Sequence, residues 1–333
     1  MQFTAKYSRR SALRALTGVG SAGLVCAMGL PALAQSDFPS RPIHFIIPFP
    51  PGSTAETSAR FIGQKISELT GQPVVVEPRG GGNGFIAIQA MLSAPRDGHT
   101  LLFCGNSIVA TNVALFKKLP YNPLTDLSPV SLVIRAPIVL LAPRDAPYRN
   151  LQEFIAAAKA EPGKLAVGSG SPGYQLMGAL LAEKAGIELL HVPYKSAPDA
   201  LKAAVGGEVQ LCIGDVASAL PLVTAERVRA IAVATERRLS GAPQIATAAE
   251  QGLRDFTPAT WNCVVGPAGV PKSALEKLSN IFVQVMAMPD TVAFFAKQNL
   301  EILPSGQEPM RKFQIEEVER WKRIAVIAKI EPQ

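Results

Sequence analysis

The stretch HFIIPFPPGSTAETSAR, residues 44–60, decides how the chain is read. An apolar run is followed by Pro48, Pro50, Pro51 and Gly52, and then by residues that suit a helix. A strand, a tight turn and a helix in that order open a βαβ unit. Ser53-Thr54-Ala55-Glu56 fits a capping box, in which the Ser53 hydroxyl accepts from the Glu56 amide and Glu56 reaches back to the Ser53 amide. A helix begun this way aims its free N–H groups, and the positive end of its dipole, out past the strand end. Such an end favours a carboxylate or phosphate. Pro50 and Pro51 stiffen the approach, and Gly52 lets a ligand come close to the backbone. The same residues also serve a well-capped helix that holds no ligand, and locally both readings stand.

Outward from this turn, short β-branched runs alternate with helical patterns. Strands are expected at 43–47, 73–77, 100–104, 130–134, 138–142, 165–168, 189–193, 209–213, 229–234 and 261–265. Helices are expected at 55–69, 84–93, 150–161, 175–185 and 197–205, and after Pro271 the chain reads as helix only. This alternation argues for an α/β fold with parallel βαβ units, whose ligands collect where strands lead into helices. Small-residue turns recur there: Gly105-Asn106-Ser107, Gly168 through Gly173, and Gly214-Asp215. About 300 residues after any leader exceed what one core usually supports, so two lobes are expected.

The first 34 residues carry Lys6, Arg9, Arg10 and Arg14 without an acid, then an apolar, small-residue run ending at Ala32-Leu33-Ala34. This is the pattern of a cleaved export signal, with the cut placed after Ala34. Ser8-Arg9-Arg10 resembles a twin-arginine start, although an ordinary basic start reads the same way. Four positive charges leave with the leader, so the net charge of +7 falls to +3. With no basic run left, nucleic acid is not an expected partner. Cys104, Cys212 and Cys263 are odd in number and scattered through apolar segments. They read as buried thiols rather than a disulfide framework or metal site.

No catalytic constellation stands out. Gly168–Gly173 satisfies G-x-G-x-x-G, but the next strand ends in Pro193-Tyr194-Lys195 with no acid to hold a ribose. A G-K-[ST] phosphate loop and a G-x-S-x-G elbow are both absent from the sequence. His44, His99 and His191 have no metal-ligand spacing and read as structural. No enzyme activity, metal or cofactor is therefore expected.

Six blocks in order across the mature chain carry a resemblance: FPSRPIHFIIPFPPGSTAETSAR (38–60), GQPVVVEPRGGGNGFIA (71–87), RDGHTLLF (96–103), FKKLPYNPLTDLSPVSLV (116–133), HVPYKSAPDALKAAVGGEVQL (191–211) and WNCVVGPAGVPK (261–272). The chain resembles the Bug or TctC-like substrate-binding proteins of tripartite tricarboxylate transporters. The resemblance implies a two-lobed periplasmic-binding-protein fold of the type II kind, with mixed sheets flanked by helices. Lobe one would be 37–135 plus 262–333 and lobe two 136–261, with crossings near 133–139 and 257–263. It also implies a monomeric periplasmic receptor that closes its lobes on a small organic carboxylate and delivers it to the large and small membrane subunits of the transporter. A sensory role beside a receptor kinase, or an enzyme on the same architecture, is the alternative.

The ligand-binding positions carried over from the resemblance are Pro50, Pro51, Gly52, Ser53, Thr54, Ala55 and Glu56 from the first turn, and Asn106 and Ser107 from the second. The facing loop adds Ser169, Ser171, Tyr174 and Gln175, and Asp215 completes the set. The chain departs from the family in three places. Glu56 replaces a usual Asp and is expected to complete the cap or face the distal part of the ligand. Gln175, where His is common, weakens the expectation of a second ligand carboxylate, and Tyr174 beside it could stack on a ring or pack on an aliphatic body. Ser196 stands where Gly is common, next to Lys195, which reads as a surface residue beside the hinge or as a ligand contact.

Overall fold

The computed structural model describes Gln2, residues 38–327 and residues 330–332. The expected leader, its Ala34 cut and Cys26 lie outside the described residues.

Among the described residues, ten strands form one mixed sheet in the order β2-β1-β3-β9-β4-β7-β5-β6, with β8 and β10 also pairing to β4. Here β1 is Ile43–Ile47, β2 Val74–Pro78, β3 Thr100–Gly105, β4 Leu127–Pro143 and β5 Ala166–Ser169. The others are β6 Leu190–Pro193, β7 Leu211–Asp215, β8 Val228–Val233, β9 Ala259–Pro267 and β10 Glu301–Ile302. β1, β2 and β3 run parallel, as do β5, β6 and β7. Between these two parallel sets stand the antiparallel strands β9 and β4.

β4 is one strand of 17 residues, where the sequence reading put two, 130–134 and 138–142. The reason lies at Pro137. Up to Pro137 the strand pairs with β9, and from Ile138 onward it pairs with β7 and β8. Proline removes a ladder donor and so suits a place where one neighbour gives way to another. Register shifts between Pro129 and Ser131 and between Leu132 and Ile134 accommodate the β9 pairing. In sequence these prolines look like breaks, while in space the strand passes through them.

The expected helices are present as α1 Thr54–Thr70, α2 Phe85–Leu92, α4 Leu151–Ala160, α5 Pro172–Ala185 and α6 Ala197–Val205. α3 (Asn112–Leu115), which continues a π-helical turn Ser107–Thr111, and α7 (Val216–Thr224) join them. The C-terminal region holds α8 Lys272–Met286, α9 Pro289–Lys297 and α10 Gln307–Ile327. Two boundaries differ from expectation. α5 begins at Pro172 rather than 175, because Pro suits the first helical turn, so Gly173 and Tyr174 sit in the helix rather than in the loop before it. The C-terminal region is not helix alone, since β10 pairs antiparallel with Arg135 and Ile134 of β4.

Alternate residues of the strands feed different cores. Ile43, Phe45, Ile47, Leu101 and Phe103 pack with α1 and α8, whereas Ile46, Leu102 and Cys104 face a cluster that takes in α2 and α10. A third cluster, with Leu141, Leu201, Val209, Cys212 and Val216, lies between β7 and helices α6 and α7. Strands buried on both faces read as continuous apolar runs, as β1, β3 and β7 do. Cys104, Cys212 and Cys263 are free and buried, as expected. Among the described residues no single helix is long and apolar enough to cross a membrane.

Candidate functional site

The helices α1, α5, α6 and α7 all start at one place, together with the π-helical turn after β3. Their first residues line an inner cavity of about 60 Å³. That volume has room for a few waters or one carboxylate group. Its wall includes Phe49, Pro50, Ser53, Thr54 and Ala55 from the first turn, and Gly105, Asn106 and Ser107 from the second. Gly170, Ser171, Tyr174, Ser196, Ala197, Asp215 and Ser218 come from the β5-to-β7 half, and Thr260, Trp261 and Asn262 from β9. The first amides of each helix have no intrahelical acceptor, so the cavity is ringed by donors and by the positive ends of dipoles.

The first turn is built as its sequence suggests. Gly52 has φ +87, in the left-handed region, and an added Cβ would meet nothing within 4 Å, so conformation rather than space calls for glycine. Ser53 is the N-cap, its Oγ accepting from the Glu56 amide at 3.2 Å. The reciprocal half of the box is displaced. Glu56 Oε2 accepts from the Gly52 amide at 3.5 Å rather than from Ser53, while Oε1 pairs with Arg60. Glu56 is thus spent on the helix start; neither it nor Gly52 lines the cavity.

On the facing side the backbone comes very close. A Cβ at Gly170 would stand 2.2 Å from the Ala197 amide nitrogen, so only glycine lets the β5 turn lie against the start of α6. Ser196 caps α6 by accepting from the Asp199 amide at 3.3 Å. Asp215 caps α7 and collects four donors: the Ser218 amide at 2.9 Å, the Ser218 hydroxyl at 3.0 Å, Thr54 Oγ1 at 2.8 Å and the Tyr174 hydroxyl at 3.2 Å. Thr54 Oγ1 also lies 2.7 Å from Ser218 Oγ. Thr54 belongs to the β1–β3 half and Asp215 and Ser218 to the β5–β7 half, so this cluster ties the halves together at the cavity edge. Burial, and then the Asp215 charge, push the Tyr174 hydroxyl well above the ordinary tyrosine range, keeping it a donor.

Asn106 is held differently. It is 3% exposed, and its Nδ2 has no hydrogen-bond partner among the described protein groups. A buried amide N–H without an acceptor is costly, and native interiors seldom keep one. Asn106 opens the π-helical turn, a distortion that recurs at functional sites.

Outside the inner cavity lies a wider groove of about 960 Å³. Phe49, Pro50, Ser107, Gly170, Ser171 and Ser196 border both spaces. Pro51, Ser169 and Gln175 line the groove, as do the exposed Lys195 and the half-buried His191. Ser169 Oγ lies 3.2 Å from His191 Nε2, and burial holds the His191 pKa below the ordinary histidine value. The structure thus gathers twelve of the fourteen sequence-chosen residues on two adjoining spaces.

Sequence reasoning passed over Phe49, Ser218, Thr260, Trp261 and Asn262. Trp261 is the most informative, because it is fixed from far along the chain. Its Nε1 and that of Trp321 each donate to Glu317 Oε2 at 3.0 Å, and Arg320 binds the other oxygen at 3.1 Å. The helix expected after Pro271 carries Glu317 and Trp321, but nothing in its sequence points to the cavity.

The family model of the tripartite tricarboxylate transporter family receptor, TctC, matches residues 58–331. The protein of the tcbD-tcbE intergenic region of Pseudomonas sp. (strain P51) is 37% identical over 292 residues, covering 87% of both chains. BugT of Bordetella pertussis is 31% identical over 301 residues, covering 89% of this chain and 92% of its own. Among solved structures, R. palustris Rpa4515 with adipate superposes with a TM-score of 0.85 at 28% identity, over 89% of this chain and all (100%) of the other. MatC from Rhodopseudomonas palustris with bound malate gives 0.80 at 28% identity, over 86% and 100%. The chain shares with these the two-lobed periplasmic-binding-protein fold, here a mixed sheet flanked by helices. The chain belongs to the tripartite tricarboxylate transporter receptor family, the Bug/TctC group of periplasmic solute-binding proteins.

Proposed function

We propose that this protein is an exported receptor that captures a small organic carboxylate by closing its lobes, and hands it to the large and small membrane subunits of a tripartite transporter. The ligand's carboxylate lies in the inner cavity, and its body passes between Phe49, Pro50 and Ser196 into the outer groove. The observation that carries the reading is Asn106, a buried side-chain donor with no acceptor, in a cavity ringed by helix N-termini. Each charge-assisted hydrogen bond there contributes about 1.5–3 kcal/mol. The Asp215 charge does not repel such a ligand strongly, because four donors and the start of α7 already face it. That two relatives hold adipate and malate agrees with a carboxylate ligand.

The lobes move as 37–135 plus 262–333 against 136–261, the hinge falling where β4 changes partners. The Thr54–Asp215 contact is made on closure and broken on opening. The leader is cleaved after Ala34 and the mature chain acts in the periplasm as a monomer, binding its ligand without converting it. A thermal-shift and calorimetric screen of adipate, malate and aromatic monocarboxylates tests this. At about 100 times its dissociation constant a true ligand adds about 2.7 kcal/mol of stability. A mature protein indifferent to every acid, or one that consumes the acid, would overturn the reading.

A further inference from the structure

We propose that Cys104 and Cys263 close into an intramolecular disulfide as the chain folds in an oxidising compartment, tying together the two strands that carry the floor of the inner cavity. Cys104 on β3 stands opposite Cys263 on β9 in antiparallel register. Both belong to the same core cluster, and their Sγ atoms are 3.8 Å apart. Directly opposed antiparallel residues have Cα atoms about 4.5–5.5 Å apart, inside the window of about 4.4–6.8 Å that a disulfide accepts. The sulfurs therefore need to approach by under about 2 Å to reach bonding distance, with no change of register. Cys212 has no such placement, since it sits on β7 in another cluster.

The bond would lie next to the ligand cavity. The next pair along the ladder is Gly105 with Asn262, and both line the cavity, as do Asn106, just past the end of β3, and Trp261 on β9. A covalent tie there fixes the position from which Asn106 presents its free amide. Both sulfurs have no solvent exposure, and burial pushes the Cys263 thiol well up, so the folded protein is a poor substrate for exchange. Formation belongs to the folding chain. One thiolate attacks an oxidant of the disulfide class, expelling one thiolate from it. The second cysteine then attacks the mixed disulfide and releases the other. Two protons and two electrons leave the protein, and the oxidant's disulfide is reduced to two thiols.

The physiological setting rests on the export proposed above, but the chemical test does not. The full chain is unfolded with reductant, refolded in oxidised and reduced glutathione, alkylated after acid quenching and digested with trypsin. Cys26, Cys104, Cys212 and Cys263 fall on separate peptides, 15–60, 97–117, 203–227 and 255–272. The expected product joins 97–117 to 255–272 and leaves 203–227 alkylated. Alkylation of all four cysteines, or a link through Cys212, would overturn the proposal. Dithiothreitol should lower the melting midpoint of the refolded wild type and leave that of Cys104→Ser/Cys263→Ser unmoved. An unchanged wild-type midpoint counts against the bond even if the double variant does not fold. Periplasmic fractionation tests export separately.

Discussion

Two buried polar side chains on the wall of the inner cavity, Asn106 and Asp215, are treated in opposite ways by the protein around them. Asp215, from the β5–β7 half, is supplied with four donors, one of them reaching across from Thr54. Asn106, from the β1–β3 half, keeps a buried amide N–H with nothing to bind. A saturated group carries structure, and an unsatisfied one on the wall of a cavity is open to a partner from outside the chain. The cavity therefore has a structural wall and a receptive wall, although both were chosen from the sequence as ligand positions.

Substitution on the structural wall should have the largest effect on stability. Asp215→Ala removes the acceptor of the Ser218 amide and of three hydroxyls, leaving those of Thr54 and Ser218 only each other, and should cost about 3 kcal/mol in denaturant unfolding. A loss under about 1 kcal/mol would break the comparison from that side. Asn106→Ala should behave in reverse, shifting stability by less than about 1 kcal/mol while weakening carboxylate binding by about ten- to a hundredfold in calorimetry. Asn106→Asp, which sets a second negative charge against the ligand, should abolish binding. Unchanged affinity in both variants would mean that the free amide serves something other than the ligand.

How far these roles could be read beforehand differs residue by residue. The inner strands were legible because burial on both faces makes them continuous apolar runs, and the Ser53 cap because its signature lies within four residues. Pro137 misled, since a proline in sequence marks a break, whereas here it marks a change of partner within one strand. Tyr174 was placed in the loop before α5 because the small residues ahead of it hide a helix start at Pro172. Two of the site residues passed over owe their place to distant parts of the chain: Trp261 depends on Glu317, 56 positions away, and Ser218, besides its local contact with Asp215, meets Thr54 across the cavity edge. The division between saturated and unsatisfied groups was invisible for the same reason, since a hydrogen-bond partner across the cavity leaves no trace in local spacing.

Ser53→Ala sharpens the comparison at a smaller scale, because Ser53 lines the cavity and also caps α1. Loss of the cap should cost about 1 kcal/mol of stability. A fall in ligand affinity beyond that expected from the weakened helix start would place the hydroxyl on the receptive wall, and an unchanged affinity would place it with Asp215.

The smallest effect is expected outside both walls, at His191 in the outer groove. Burial lowers its pKa, so the folded protein holds fewer protons there than the unfolded chain does. Its contribution to stability is complete above the unfolded histidine pKa of about 6.5. It declines as the pH falls through that value and levels off below the lowered folded pKa. Glu77 and Asp97, whose pKa values are also lowered, keep their charge through this window and do not mimic the effect. Melting curves from neutral to mildly acidic pH should therefore fall more steeply for the wild type than for His191→Gln. Parallel curves would mean that the imidazole takes up its proton with little penalty, from which it follows that the groove is wet enough to accept a charged group on the ligand's far end.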